Sequence, residues 1–424
     1  MKTFIQYKAL VVSVCGLLSL VLFRCSEDPM ANEPNLPDLR PLTTNTEELV
    51  ATANTFSLDL FKAIHQEKAE ENIFISPLSV DIALHMAVNG ASGETKVVMK
   101  EALGVADLSD EEVNEAAKNL TERLLNMDQK VTLAIANSIW FKDIYTLQSG
   151  FDVLIRQYYN GRIEGLNFEN PTSKDIINGW VEDQTQGRIK NLVEEVTPDD
   201  VMFLINAIYF KADWQYQFNA NATKDESFYL EDGSTVSVPM MSNEGTKLHI
   251  NDQPDGTRLL EIPYGNGQFS MIILLPSPES TVADLINSLT TETLTEWIAE
   301  SDTLSTHLML PKFKTEFKLE LNDVLKGMGM ELPFVRNAAD FGGFFNEISG
   351  KRLYLDRVIH QSFIEVNEEG SEAAAATVAV ISLLCATCES QPLVTRVDRP
   401  FAYFIREEHT GAILFAGTMM NPVK

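Results

Sequence analysis

Cysteine is almost absent from the body of this chain. Of four cysteines in 424 residues, Cys15 and Cys25 lie near the N-terminus, which leaves only Cys385 and Cys388 late in the sequence. No disulfide framework is available, so stability must come from burial. Positive charge is also scarce: 33 Lys and Arg stand against 61 Asp and Glu, a formal net charge of −28. That balance argues against nucleic acid or an anionic membrane surface as partner, and no basic run after residue 40 marks a polyanion site. Catalytic signatures are missing as well. There is no Gly-x-Ser-x-Gly elbow, no His-Glu-x-x-His, no phosphate loop and no dinucleotide fingerprint. The six histidines, at 65, 85, 249, 307, 360 and 409, show no metal-ligand spacing, and the acidic Asn251 to Gly256 lacks the later Glu of a calcium loop. Cys385-Ala386-Thr387-Cys388 is a lone CxxC, weak evidence for zinc without a second pair. No cofactor, no metal and no enzymatic activity are expected. A triad assembled in space leaves no sequence trace, so a hydrolase with a dispersed site stands as an alternative.

The N-terminus has the make-up of a targeting segment. Lys2 and Lys8 precede an apolar run of 15 residues, Ala9 to Phe23, too short for an ordinary membrane span. Leu22-Phe23-Arg24-Cys25 resembles a bacterial lipobox, with Arg24 where a small residue is usual. Ser26-Glu27-Asp28 resembles the acidic export tag of surface lipoproteins of the Bacteroidetes type. Two readings follow: residues 1–24 are a lipoprotein signal and Cys25 a lipid anchor, or a plain signal peptide is cut nearby. The expectation is an exported, outer-membrane or cell-surface lipoprotein of a bacterium, or a secreted one, touching a membrane only through that anchor. Residues 25–45 hold Pro29, Pro34, Pro37 and Pro41 and read as a flexible tether.

Periodicity organises the rest. Leu49, Ala53, Phe56, Leu60 and Ile64 share one helical face. Further helices are expected at about Leu78 to Asn89, after a turn at Gly90 to Glu94 and ending near Gly104, and at Val113 to Met127. The character then changes. Val131 to Phe141 reads as a long strand. Val201 to Phe210 and Phe269 to Leu275 are apolar runs suited to strands buried on both faces. His307 to Leu321, with Phe313, Phe317, Leu319 and Leu321 on one parity, reads as a single half-buried strand. Phe401 to Arg406 and Ala412 to Met419 flank a Gly-containing hairpin loop. Helices first and strands after argue for an α+β fold with large sheets. Length alone suggests two domains.

Residues 365 to 400 are distinctive. Glu368-Glu369-Gly370-Ser371-Glu372 leads into Ala373-Ala374-Ala375-Ala376 and then Thr377-Val378-Ala379-Val380. The alanines favour helix and the valines favour strand. Read as a strand, Ser371, Ala373, Ala375, Thr377 and Ala379 would face one way and Glu372 the other. An Ala-rich helix is the plainer alternative.

From about Glu47 to Pro422 the chain resembles a serpin. The matching motifs run in order: Asn72 to Ser79; Gly90 to Thr95; Ile177 to Val181 with Thr185 to Ile189; Leu204 to Trp214; Leu310 to Phe313; and Asp398 to Phe401 through Gly417-Thr418. The resemblance implies one domain, residues 46–424, with three β-sheets and about nine helices. An exposed reactive loop, about 368–395, would be able to insert into the central sheet. It implies a monomer whose partners are target proteases, trapped as covalent acyl-enzymes. Ser76, Ser79, Asn206 and His360 match the family's buried polar cluster, Trp214 the aromatic at the loop's entry point, and Lys312 with Glu368 a salt bridge at the top of the sheet. Glu368, Gly370, Ser371, Glu372, Ala373, Ala374, Ala375 and Ala376 match the hinge, so Ser371 would turn inward only as the sheet opens, the loop lying outside it beforehand. Counting from Glu368 puts the reactive bond between Leu384 and Cys385, with a neighbouring bond open because the loop is longer than is common. Leu384 and the lack of Lys or Arg between Gly370 and Thr395 point to chymotrypsin-like or elastase-like targets and to papain-like ones. A non-inhibitory serpin, acting as a carrier or binding module, is the alternative.

Overall fold

The computed structural model describes residues 37–345, 353–371 and 392–424. Residues Leu36–Lys424 cluster as one compact unit, so the two-domain reading from length gives way to a single body. Nothing among the described residues forms a helix long and apolar enough to cross a membrane.

Helices come first. Helix α1 (Thr44–Glu67) starts at Thr43, whose hydroxyl accepts from the Thr46 N–H, and buries the expected face of Leu49, Ala53, Phe56, Leu60 and Ile64. A short strand β1 (Ile73–Ile75) leads into α2 (Pro77–Gly90). Ser76 caps α2 and Pro77 opens it, where a missing N–H costs nothing. α2 is buried nearly all round, as befits an apolar helix packed inside the molecule. Helices α3 (Gly93–Ala102) and α4 (Asp110–Asn126) follow, α4 opening on a Ser109–Glu112 capping box.

Strands and shorter helices then alternate: β2 (Val131–Lys142), α5 (Phe151–Tyr159), β3 (Arg162–Leu166), α6 (Ser173–Gln184) and β4 (Met202–Asp213). β5 (Lys224–Tyr229), β6 (Thr235–Asp252), β7 (Arg258–Tyr264), β8 (Phe269–Leu275), α7 (Val282–Ser288), α8 (Thr291–Ala299), β9 (Asp302–Pro311), β10 (Phe313–Glu320) and α9 (Asn322–Gly327) come next. The chain closes with β11 (Arg357–Val366), β12 (Gly370–Ser371), β13 (Leu393–Arg396), β14 (Phe401–Glu407) and β15 (Ile413–Met419).

One sheet has the order β10-β11-β12-β4-β2-β3. The other strands form a path β1-β15-β14-β8-β7-β6-β9-β13, with β5 paired to β6. The three expected sheets thus appear as two hydrogen-bonded networks among the described residues. β6 is long enough to pair β7 at one end and β5 at the other, and a bulge at Glu244/Thr246 bends it between them. The single strand expected at His307 to Leu321 is two. At Lys312 the chain leaves one network as β9 and enters the other as β10. The alternation was right for β10, where Phe313 and Phe317 are buried and Lys314, Glu316 and Lys318 exposed.

Candidate functional site

The centre of the six-stranded sheet is polar where it rests on α2. β4 and β11 pair in parallel from Phe203↔Arg357 to Tyr209↔Phe363, which sets His360 opposite Asn206. His360 Nε2 accepts the Ser76 N–H at 3.1 Å, so Nδ1 carries the proton and donates to Asn206 Oδ1 at 2.6 Å. The Asn206 amide donates to the Ser79 carbonyl at 3.0 Å, to the Ser79 hydroxyl, and to Asn137 Oδ1 at 2.6 Å. The Ser76 hydroxyl donates to the Leu414 carbonyl at 2.7 Å and so reaches the other network. All five side chains are buried. Burial drives the His360 pKa down to about 3, so the ring is neutral and acts as a hydrogen-bonding joint.

At the upper end, β4 and β11 are parted. Beyond Tyr209↔Phe363 the gap is filled by β12, with Ser371 opposite Val366 of β11 and Ala212 of β4, and Gly370 opposite Asp213. Ser371 is fully buried. This corrects the expectation that the hinge lies wholly outside the sheet in the uncut chain: Gly370 and Ser371 are already seated. Gly370 is required there, because a Cβ would lie 2.1 Å from the Ala212 carbonyl oxygen and 2.6 Å from Asp213 Cα. Ser371 fits because its hydroxyl finds that of Tyr264 at 2.7 Å.

The segment leading into β12 is clamped. The Trp214 backbone N–H donates to the Glu369 carbonyl at 2.8 Å, its indole N–H to the Asn367 carbonyl at 2.9 Å, and the Phe218 N–H to the Glu368 carbonyl at 2.9 Å. Lys312 Nζ meets Glu368 Oε2 at 2.7 Å, and the Thr223 hydroxyl donates to Glu368 Oε1 at 2.7 Å. Burial works to raise the Glu368 pKa, but the bonds from Lys312 and Thr223 outweigh it and hold the carboxyl below its ordinary value. The β9–β10 crossing is what brings Lys312 to this point.

Two groups of expected residues therefore come together: Ser76, Ser79, Asn206 and His360 at mid-sheet, and Trp214, Lys312, Glu368, Gly370 and Ser371 at its upper end. Glu372, Ala373 to Ala376, Leu384, Cys385, Cys388 and Cys25 lie outside the described residues. Sequence reasoning missed Asn137, Thr223 and Tyr264. Asn137 had a signal, an amide inside the apolar run Val131 to Phe141. Tyr264 had none, since its partner lies more than a hundred residues away. No three His, Cys, Asp or Glu among the described residues group as a metal site.

The site is thus a sheet whose middle strands separate at one end, with two residues of a later segment seated between them above a neutral polar joint. A family model described as Serpin (serine protease inhibitor) matches residues 51–422, and the chain belongs to the serpin family. It is 35% identical over 386 residues to the leukocyte elastase inhibitor of Xenopus tropicalis, covering 89% of this chain and 100% of that one. Among solved structures, the thermophilic serpin Tengpin in its native state superposes with a TM-score of 0.81 at 30% identity, covering 90% of this chain and 95% of that one. Human thyroxine-binding globulin, complexed with thyroxine, also gives 0.81, at 27% identity and 89% and 99% coverage.

Proposed function

We propose that this serpin inhibits proteases as a suicide substrate by loop insertion and is not itself a catalyst. The observation that carries the reading is the seated hinge: Gly370 and Ser371 already lie between β11 and β4, and the next residues, apart from Glu372, are the small Ala373 to Ala376. A target protease's nucleophile attacks the carbonyl carbon of Leu384. The Cys385 nitrogen leaves with a proton as a free amine, and Leu384 remains esterified to the protease. The chain from Glu372 onward then adds to the sheet as a strand. At about 1 kcal/mol net per new hydrogen bond, insertion stabilises the cut form by on the order of 10 kcal/mol, comparable to a domain's whole stability. The uncut form is therefore held by a kinetic barrier.

Targets are chymotrypsin-like or elastase-like serine proteases, with papain-like enzymes that prefer Leu before the cleaved bond as further ones. Support comes from Leu384, from the lack of basic residues between Gly370 and Thr395, and from a relative named as an elastase inhibitor. The protein acts as a monomer, exported and anchored through Cys25. Mixed with a protease panel, it should form detergent-stable complexes with chymotrypsin and elastase, cut after Leu384 by mass spectrometry. A rapid, stable trypsin complex would show the loop misread. Cys25→Ser should release the protein from membranes, and wild type found mainly in the soluble fraction removes the anchor.

Ser371→Arg tests insertion. Ser371 is buried in the uncut protein, so Arg should expel the seated strand and lower thermal stability modestly. Burying that charge during insertion would cost several kcal/mol, and each 1.4 kcal/mol slows insertion about tenfold. The variant should be cut at the same bond yet release active protease, while Glu372→Arg, on the opposite parity, should still inhibit. If both variants trap protease as wild type does, insertion does not operate and a carrier or binding role replaces it.

A further inference from the structure

The seated strand is held by more than backbone bonds. Ser371 and Tyr264 are both fully buried, and among the described residues their 2.7 Å contact is the hydrogen bond that satisfies either hydroxyl. Burial raises the Tyr264 pKa above its ordinary value, so the bond joins two neutral groups. The Tyr264 ring stacks on Trp214, centroids 4.3 Å apart and planes within 10°, and meets Phe210 edge-on. Ring and hydroxyl therefore address two different partners at the sheet's opening.

The position of Tyr264 is fixed by the turn that follows it. Gly265 has φ +51° and donates its N–H to the Asp213 carbonyl at 2.8 Å, and the Gly267 N–H closes back on the Tyr264 carbonyl at 2.7 Å. Into this turn reaches Asp128, from the link between α4 and β2. Its buried carboxylate accepts the Asn266 N–H at 2.6 Å, the Asn266 side-chain amide at 3.0 Å and the Lys130 N–H at 2.9 Å. A Cβ at position 265 would lie 2.5 Å from Asp128 Oδ2, so turn and carboxylate fit only with glycine between them.

We infer that Tyr264 is a latch on the hinge. Its hydroxyl keeps Gly370–Ser371 in the sheet of the uncut protein, and Asp128 is the positioning residue that holds the latch in place. The inference rests on the loop-insertion reading for its consequence: the latch sets how often the first hinge residues leave the sheet, and hence how fast protease is engaged.

Tyr264→Phe keeps the ring and deletes the hydroxyl; Ser371→Ala deletes the other half. In the uncut full chain, amide hydrogen exchange at Gly370 and Ser371 should rise about five- to tenfold in each, with exchange in β4 below Tyr209 unchanged. The double variant should match either single one, because the shared bond is lost once. Association with chymotrypsin should quicken several-fold in Tyr264→Phe, and Asp128→Asn should move both readouts the same way by less. Unchanged exchange at Gly370 and Ser371, a rise spread evenly over the chain, or additive effects in the double variant would overturn the latch. An inert Asp128→Asn would remove Asp128 from it. Failure of wild type to form any protease complex would overturn the insertion reading instead, with the exchange data still deciding the latch.

Discussion

His360 is a buried imidazole with both nitrogens engaged, and that fixes its charge. A proton added at Nε2 would face the Ser76 N–H, so the folded pKa falls from 6.5 to about 3 through burial. The unfolded chain binds this proton more readily, so the contribution is present in full above pH 6.5 and is lost as pH falls towards 3. His360→Ala should therefore cost about 2–4 kcal/mol at pH 7, since the Asn206 Oδ1 and the Ser76 N–H lose their partner. The gap between variant and wild type should narrow by about 1 kcal/mol per pH unit below 6.5. Denaturant midpoints measured from pH 8 to 4 check this, and parallel curves would refute it. His85, held down to about 4 chiefly by burial, remains in both proteins and cancels. Ser76, Ser79 and Asn206 were legible through motifs of a few residues each, and His360 through the resemblance as a match to the family's buried polar cluster. Asn137 showed locally only as an amide in an apolar run, because its role exists in the register that sets it opposite Asn206.

Strand β12 spans only Gly370–Ser371, yet it decides where the sheet is open. Two glycines without room for a side chain separate its contribution from that of a core strand. At Gly370 the obstacle is Ala212 and Asp213, and a methyl group can be relieved by releasing β12 alone. Gly370→Ala should cost about 1 kcal/mol and speed amide exchange only near the hinge. At Gly417 in β15 a Cβ would meet the Ile73 carbonyl at 2.5 Å and the Tyr403 ring at 2.6 Å, inside a fully paired strand. Gly417→Ala should cost about 3 kcal/mol or more, with global loss of protection. Equal costs by urea unfolding would mean that β12 is an integral strand. Most elements were readable because hydrophobic period survives in each. The β9–β10 break left a trace that went unread: the buried positions are even through Leu310 and odd from Phe313, and the change of partner strands behind that slip is long-range information. β12 was not readable, since nothing local distinguishes a seated Gly-Ser from one in solvent.

Among the described residues the molecule has no cysteine, and its stability rests on one large apolar core with a smaller cluster beside it. Reductant should leave the unfolding temperature unchanged. Cleavage within the loop should raise it: roughly 10 kcal/mol of new strand against an unfolding entropy of about 2 cal/mol/K per residue gives an upward shift of about 10 °C or more. Calorimetry of cut and uncut protein checks this, and equal temperatures would mean no insertion. The fold class and the sheet-opening site could be read from the sequence, whereas the state of opening could not. That state depends on a balance between two pairings of the same strands. The rungs between β4 and β11 run from Phe203↔Arg357 to Tyr209↔Phe363, and Asn206↔His360 is the middle one of the seven. Under the proposed insertion, a strand advancing from the parted end would behave like the slider of a zip fastener with a detent halfway. It would open three ordinary rungs and then have to break the bond that ties both strands to α2. Segments short enough to stop before that rung should enter and leave freely, and longer ones, once past it, should not return.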